Sequence, residues 1–177
     1  MKKRIQVQAS TISSAQPEEI YALLLNSATY PLWSMIRYYE SLRAGRDGLH
    51  DVGAIRLFRT NRITVMREEI TDLAKNERVC YTLLSGFPLL EYRAQTTLEK
   101  VASGTRITWE SSFCPKYPLT GWFWRGLMGR VLRTLVQSLA KAAESPERRL
   151  RILTVAQDKT AMAKGVSLVS APGEVLR

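Results

Sequence analysis

Residues 36–114 contain six consecutive segments rich in Val, Ile, Thr, Tyr and Phe, and this run constrains the fold more than any other feature. Turn-forming residues separate the segments, whose predicted bounds are 36–44, 52–60, 62–73, 77–85, 89–101 and 104–114. No helical pattern between them is long enough to connect parallel strands. Each strand is therefore expected to pair antiparallel with the next one.

Further elements flank this run on both sides. Residues 4–13 alternate apolar and polar side chains, which predicts a seventh strand. A short helix is predicted from Pro17, because proline and the glutamates after it favour a first helical turn, and a second short helix is predicted from Pro31. Residues 119–144 carry an apolar stripe at helical spacing, which predicts one long amphipathic helix. The sequence after Pro146 is expected to be a frayed helix followed by disorder.

These elements predict a cavity. A curved seven-stranded sheet has one apolar face, and only the long helix is long enough to cover it. A helix is about 10 Å wide and cannot fill a sheet of that width. The expected fold is α+β: a seven-stranded curved antiparallel sheet, two short helices and a long C-terminal helix that enclose a cavity. The gap either stays open or is filled by large side chains.

The composition is that of one globular domain. A chain of 177 residues with 45% hydrophobic and 24% charged residues can bury a sizeable core. No apolar run reaches the roughly 18 residues that a transmembrane helix needs. Residues 1–4 look like the basic front of a signal peptide, but the alternating residues that follow lack its apolar segment. A cytoplasmic location is expected.

Few side chains are available for metal or triad chemistry. Cys80 and Cys114 lie too far apart in sequence for a metal knuckle, and they are expected to be reduced, half-buried thiols. His50 is the only histidine and lies in a glycine-rich stretch, so neither a histidine-based metal site nor a Ser-His-Asp triad is expected. The sequence therefore predicts no metal site and no cofactor.

The net charge is +10, and residues 116–151 carry eight Lys or Arg against two Glu. This excess is either a solvated face or a contact for an anionic surface. Nucleic-acid binding is not expected, because the strands lack interleaved basic and aromatic residues and no helix-turn-helix spacing appears. Trp122, Trp124 and Arg125 mix aromatic and basic side chains at the start of the long helix, which favours peripheral contact with an anionic membrane.

Four segments carry a resemblance to a known superfamily. They read "ISSAQPEEIYALLLNSATYPLWS", "VGAIRLFR", "RVCYTLLSGFPLLEYRAQTTLE" and "GTRITWESSFCPKYPLTGWFWRGLMGRVLRTLVQSLA". In order and spacing the chain resembles the SRPBCC (START/Bet v 1-like) superfamily, and within it the polyketide cyclase/dehydrase and lipid-transport group. The resemblance implies a helix-grip fold, a START-like ligand-binding domain at residues 1–145 and a basic, then low-order tail at 146–177.

The resemblance also gives the two short helices a role. They are implied to form a V that cradles the far part of the long helix. Tyr30, Pro31 and Trp33 would make the stiff apolar elbow of that cradle. Trp33 either has this structural role or borders the cavity.

Strand alternation identifies the side chains that face inward. On the last strand the apolar set is taken as inward, and the same reasoning applies to the other strands and to the helical stripe. The predicted ligand-binding residues are Trp33, Met66, Glu68, Val79, Tyr81, Leu83, Tyr92, Thr96, Trp109, Ser111, Phe113, Phe123, Leu127 and Val131. The aromatic members of this set either pack the core or line the pocket.

Glu68 is the candidate catalytic residue. A carboxylate in an apolar cavity has its pKa raised by desolvation and can act as an acid or a base. With Tyr81, Tyr92 and Ser111 nearby, it could assist an aldol-type cyclisation or a dehydration. The alternative is that Glu68 points to solvent or pairs with Arg67 or Arg93.

Two functions are therefore predicted. The first is binding of a hydrophobic small molecule, such as a lipid, isoprenoid or polyketide, by a carrier or sensor. The alternative is a polyketide cyclase or dehydratase that uses the cavity carboxylate and tyrosines without a metal.

Overall fold

Seven antiparallel strands form one sheet. The computed structural model describes the backbone of residues 3–169 and the side chains of residues 3–161. The strands are β1 (Ile5–Ser13), β2 (Tyr38–Arg43), β3 (Ile55–Arg59), β4 (Val65–Ala74), β5 (Arg78–Ser85), β6 (Leu89–Val101) and β7 (Gly104–Pro115). The sheet order is β1-β7-β6-β5-β4-β3-β2, so consecutive strands pair from β2 to β7 and β1 completes the sheet beside β7.

Helices precede and follow the main run of strands. They are α1 (Pro17–Leu25), α2 (Tyr30–Trp33), α3 (Gly121–Glu144) and α4 (Pro146–Val169), with a 3-10 turn at Ser27–Thr29 between α1 and α2. The predicted α+β fold is confirmed: a curved seven-stranded antiparallel sheet encloses a cavity together with two short helices and one long helix near the C-terminus.

The long helix covers only part of the sheet. Helix α3 packs mainly against β1 and, to a smaller extent, against β7. Its C-terminal half carries Ala140, Ala142 and Ala143, all buried, and the Ser13 hydroxyl donates a hydrogen bond to the Ala140 carbonyl at 3.2 Å. Small side chains let this half approach the sheet closely, so the space that remains lies beside the N-terminal half of α3 and the strands from β3 to β6.

Hydrogen bonds fix the link between α1 and α2. The Trp33 indole donates to the Thr29 hydroxyl at 2.9 Å, and the Thr29 hydroxyl donates to the Leu23 carbonyl at 2.6 Å. The Tyr30 hydroxyl donates to the Leu24 carbonyl at 3.1 Å. Tyr30 and Trp33 are both buried, and their ring centroids lie 4.6 Å apart. This link is rigid because its buried polar groups are bonded locally.

The segment after Pro146 differs from the expected frayed helix and low-order tail. It forms helix α4, which packs against the 3-10 turn through the buried residues Ile152 and Ala156. Arg149 forms an ion pair with Glu19 of α1. The apolar residues of this segment do not gather at one helical spacing, and for that reason its sequence gives a weak helical pattern. Residues 170–177 of the expected tail lie outside the described residues.

Candidate functional site

A cavity of about 270 Å³ lies between α3 and the inner face of the sheet. This volume is close to the lower end of the range for small-molecule pockets, about 300–1,000 Å³. Its wall is mostly apolar, with contributions from β3 to β7, α2 and α3. Eight of the predicted ligand-binding residues line it: Met66, Glu68, Tyr81, Leu83, Tyr92, Trp109, Leu127 and Val131.

The other six predicted residues do not line the cavity. They are Trp33, Val79, Thr96, Ser111, Phe113 and Phe123. Five of these are buried in the packed core, where Val79 faces Thr96 across β5 and β6 and Phe113 stacks behind Tyr92 with a ring centroid distance of 6.1 Å. Phe123 is 47% exposed. Alternation therefore gives the correct face of each strand, but it does not say how far along the strand the cavity extends.

Several lining residues were not predicted. The cavity is also lined by Tyr30, Met35, Ile36, Arg56, Phe58, Thr60, Thr64, Phe87, Met128, Leu132 and Leu135. The most important is Arg56. Strand alternation places Arg56 and Phe58 on one side of β3, but it does not say which residues they face. In the sheet register they stand opposite Glu68 and Met66 of β4.

Arg56 and Glu68 form a buried ion pair. Arg56 is 2% exposed and Glu68 is 9% exposed. The Nε atom and one terminal nitrogen of Arg56 each lie 3.1 Å from Oε2 of Glu68. The other terminal nitrogen donates to the Ser27 hydroxyl at 3.2 Å. The expected alternatives for Glu68, exposure to solvent or pairing with Arg67 or Arg93, are wrong because Arg56 lies directly across the strand pair on the inner face.

Aromatic rings surround the Arg56 guanidinium. Its central carbon lies 5.5 Å from the ring centroid of Tyr30, 5.1 Å from that of Phe58 and 5.0 Å from that of Tyr81. The negative faces of such rings attract a cation, and the attraction is stronger where water is excluded. Together with Glu68, these rings compensate a charge that would otherwise be costly to bury.

Burial determines the protonation of the groups around this pair. Desolvation raises the pKa of Tyr30 and of Tyr92 to about 12, and it holds the pKa of Tyr81 well above its ordinary value. These hydroxyls are therefore neutral and can donate hydrogen bonds. Desolvation also raises the pKa of Glu68, and the adjacent Arg56 charge opposes that rise.

One end of the cavity is thus polar and the rest is apolar. The Trp109 indole donates to the Tyr81 hydroxyl at 3.0 Å, which leaves the Tyr81 proton free for another acceptor. The Tyr92 ring lies 6.3 Å from that of Tyr81, centroid to centroid. An amphipathic molecule could place its apolar part among the aliphatic and aromatic side chains and its polar group at this end.

The cavity reaches the surface at one end of the sheet. Met35 is 38% exposed, and Thr60, Thr64 and Phe87 are half-buried residues of the same wall. The turns after β3 and β5 meet there, since a Cβ on Gly86 would lie 2.9 Å from the Val65 carbonyl oxygen. We call this opening the mouth, defined by Met35, Thr60, Thr64 and Phe87.

The start of α3 lies beside the mouth and corrects one expectation. Trp122 is 79% exposed, as membrane contact would require, but Trp124 is only 9% exposed and its ring packs 5.8 Å from that of Phe87. Trp124 cannot serve as an exposed membrane anchor, because residues two positions apart on a helix point in different directions. Arg125 is exposed.

Other candidate sites are weaker. Desolvation, with the nearby Arg56 charge, lowers the pKa of His50 to about 4, so its imidazole is neutral, and it does not line the cavity. Cys80 and Cys114 are free thiols, half-buried and buried respectively. Within residues 3–161 no three His, Cys, Asp or Glu side chains lie close enough to hold a metal ion. None of the described helices is long and apolar enough to cross a membrane.

A wider hollow lies over the outer face of the sheet. It measures about 780 Å³ and includes the polar outward side chains Gln6, Gln8, Arg93, Gln95 and Glu110. Bound molecules would remain in contact with water there, because the hollow is shallow and about half of its wall is polar. The smaller inner cavity is therefore the candidate site.

Removing one member of the ion pair is expected to destabilise the protein more than replacing both. Glu68→Leu leaves the Arg56 charge buried without a counter-charge, so the free energy of unfolding should fall by about 3–5 kcal/mol. Combining Arg56→Met with Glu68→Leu should restore the free energy of unfolding to about the wild-type value or above it. Urea unfolding measures both effects.

The exposed pair between Arg106 and Glu99 provides the control. Arg106→Met should change the free energy of unfolding by less than about 1 kcal/mol, because water screens that pair. An equal loss in the Glu68→Leu variant and in the double variant would contradict the buried pairing.

The comparisons with known proteins agree with this architecture. A START superfamily protein from Mycobacterium smegmatis has a TM-score of 0.68 at 19% identity, over 78% of this chain and 97% of that one. The XoxI protein from Bacillus cereus has a TM-score of 0.63 at 16% identity, over 80% and 97% of the two chains. Ara h 8.0201 has a TM-score of 0.59 at 15% identity, over 86% and 99%. At these identities the likeness concerns the fold.

The family is shown by the sequence itself. No curated protein matches the chain in sequence. The model of the family described as "Polyketide cyclase / dehydrase and lipid transport" matches residues 4–144, which include every strand and all of α3. The resemblance expected from the sequence is confirmed. The chain therefore belongs to the polyketide cyclase/dehydrase and lipid-transport family, with the START and Bet v 1 fold.

Proposed function

We propose that this protein binds a hydrophobic small molecule, such as a lipid, isoprenoid or polyketide, in its internal cavity and acts as a carrier or sensor. The observation that carries the proposal is a largely apolar cavity of about 270 Å³ that opens at the mouth and has one polar end. Contact between apolar surface and water is unfavourable. A ligand of matching size that covers the apolar wall of the cavity is therefore bound favourably.

The ion pair between Glu68 and Arg56 favours a carrier over an enzyme. Two donors of Arg56 converge on the same oxygen of Glu68, at 3.1 Å each. The positive charge of Arg56 opposes the rise that burial gives the pKa of Glu68, and the two donors hold the carboxylate in one orientation. The pair is better suited to hold a polar group in place than to move a proton.

Blocking the cavity is expected to weaken binding of a neutral apolar dye. Val131→Trp enlarges a side chain of α3 that lines the cavity, so apolar volume is lost. Binding of a neutral naphthylamine dye, measured by its fluorescence, should therefore weaken by about tenfold or more. Arg133→Trp adds the same indole on the exposed side of α3 and should leave binding unchanged. Equal binding by both variants, or no binding to the wild type, would count against an internal site.

We further propose that the mouth contacts an anionic membrane. Four exposed apolar residues lie in the turn after β3 or at the start of α3: Ile63 (91%), Leu119 (93%), Trp122 (79%) and Phe123 (47%). The two regions are linked through the turn after β5, because Lys116 donates its backbone N–H to the Pro88 carbonyl at 3.0 Å and Gly86 approaches Val65. Exposed Arg62, Lys116 and Arg125 add positive charge, which complements anionic lipid headgroups.

Loss of one apolar anchor is expected to weaken vesicle binding. Trp122→Ala should lower the affinity for vesicles that contain phosphatidylglycerol by about tenfold, because burial of the indole in the interface is lost. Leu150→Ala removes an exposed apolar side chain from α4 and should have no effect. Sedimentation with vesicles measures both. Equal binding to neutral phosphatidylcholine vesicles, or an unchanged affinity of Trp122→Ala, would refute this contact.

An enzyme remains the second candidate, and one observation favours it. Glu68, whose pKa is raised by burial, shares the cavity with the neutral hydroxyls of Tyr81 and Tyr92. In a cyclisation or dehydration, Glu68 would move a proton to or from a carbon beside a carbonyl, and a tyrosine would donate a hydrogen bond to the carbonyl oxygen. No metal takes part in this scheme.

The enzyme proposal is tested with a poly-β-ketone substrate. Glu68→Gln should lower its turnover by about 100-fold or more, because the proton-transferring group is lost. Glu99→Gln, an exposed carboxylate on β6, should leave turnover unchanged. Product formation is followed by liquid chromatography and mass spectrometry. The absence of turnover by the wild type, or equal turnover by both variants, would reject this candidate.

A further inference from the structure

We propose that the cavity selects ligands whose inner end is an uncharged hydroxyl group and discriminates against ligands that end in a carboxylate. This inference rests on the proposed function, since it concerns the ligand of the same cavity. It follows from how the donors and acceptors of Arg56 and Glu68 are used.

The charge of the Arg56 guanidinium is already neutralised by Glu68. Its Nε and one terminal nitrogen bind Glu68, and its other terminal nitrogen donates to Ser27. The ring centroids of Tyr30, Phe58 and Tyr81 lie 5.0 to 5.5 Å from its central carbon. An anionic ligand could reach only the N–H groups that remain on the terminal nitrogens of Arg56. It would either share this one cation with Glu68 or displace Glu68 and leave that carboxylate buried without a partner.

Glu68, in contrast, still has an acceptor to offer. Among the described residues, its hydrogen bonds and its ion pair all involve Oε2. Glu68 lines the cavity and is 9% exposed, so its carboxylate is accessible from the cavity. A carboxylate oxygen has two lone pairs and accepts hydrogen bonds only. The complementary ligand group is therefore a hydrogen-bond donor.

Charge decides which kind of donor fits. The ionised pair is neutral as a unit, and among the described lining residues Arg56 is the one cation and Glu68 the one anion. A ligand carboxylate would add a negative charge beside Glu68 in a site that excludes water, which is unfavourable. A ligand ammonium would compete with Arg56 for Glu68 and add an uncompensated positive charge. A neutral hydroxyl adds no charge and can donate to Glu68.

The tyrosines complete the site for a hydroxyl. The Tyr81 hydroxyl accepts a hydrogen bond from the Trp109 indole at 3.0 Å and keeps its own proton, because burial holds its pKa well above the ordinary value. A ligand hydroxyl is both donor and acceptor. It can donate to Glu68 and accept from a neighbouring tyrosine, and thus satisfy both sides of the polar end.

The cavity volume sets the scale of the test ligands. About 270 Å³ corresponds to roughly nine groups of the volume of a water molecule, about 30 Å³ each. A medium-length alkyl chain is therefore suitable. Decanol and decanoate share one chain length and differ at the polar end, and decylamine supplies the cationic counterpart.

The experiment is displacement of the neutral naphthylamine dye by each ligand, at a pH where decanoate is ionised. The wild type should bind decanol about tenfold or more tightly than decanoate. Glu68→Gln leaves the Arg56 charge without a counter-charge, so the preference should move toward decanoate. Arg56→Gln leaves the Glu68 charge unpaired, so the preference should move toward decylamine. Arg93→Gln removes a charge on the outer face of the sheet and should leave the wild-type order unchanged.

The outcomes separate the two proposals. If neither the dye nor any of the three ligands binds the wild type, the proposed function fails and the selectivity fails with it. If the ligands bind but decanoate equals or exceeds decanol, the proposed function stands and the hydroxyl preference is overturned. The wild-type ranking alone can overturn the inference, even if a charge variant does not fold. The shifts in the two charge variants, once circular dichroism shows that they are folded, attribute the ranking to the ion pair.

Discussion

The width of one helix compared with that of a seven-stranded sheet determines the rest of this structure. Helix α3 packs closely against β1 and β7, where alanines on its C-terminal half allow a short approach. The half of the sheet from β3 to β6 is left without a helix of its own. Large side chains such as Trp109 and Phe58 fill part of this space, and about 270 Å³ remains open. The cavity is therefore a consequence of the architecture and not a local defect.

The buried pair of Arg56 and Glu68 gives this otherwise apolar space its chemical character. Its position follows from the sheet register, since the two residues stand opposite each other on β3 and β4 and both face inward. Burial of two charges is tolerated because they neutralise each other and because aromatic rings surround the guanidinium. Because the ion pair is neutral as a unit, its burial is tolerated. For the same reason the site is unsuited to a charged ligand, whose charge would have no counter-charge. Stability and selectivity thus have one physical origin.

Much of the fold could be predicted from the sequence, because strand alternation and helical spacing are local signals. Alternation places Met66 and Glu68 of β4 on the inner face, as observed, although two register shifts interrupt the pairing of β4 with β5. The partner of Glu68 could not be found by this means, since it depends on the register between two strands. Local patterns also cannot say how deeply a residue lies. Val79 and Thr96 have the expected orientation but lie in the packed core, and Trp124 turns inward beside the exposed Trp122.

The central claim is that apolar space remains inside the folded protein and is open to a guest. Crystals of the protein under xenon pressure test it most directly, because xenon enters dry apolar cavities and scatters strongly. The account predicts electron density for xenon, or for a co-purified apolar molecule, between Met66, Trp109 and Leu132. Density showing that space filled by the side chains of Phe58, Trp109 or Tyr92, with no xenon bound, would contradict it.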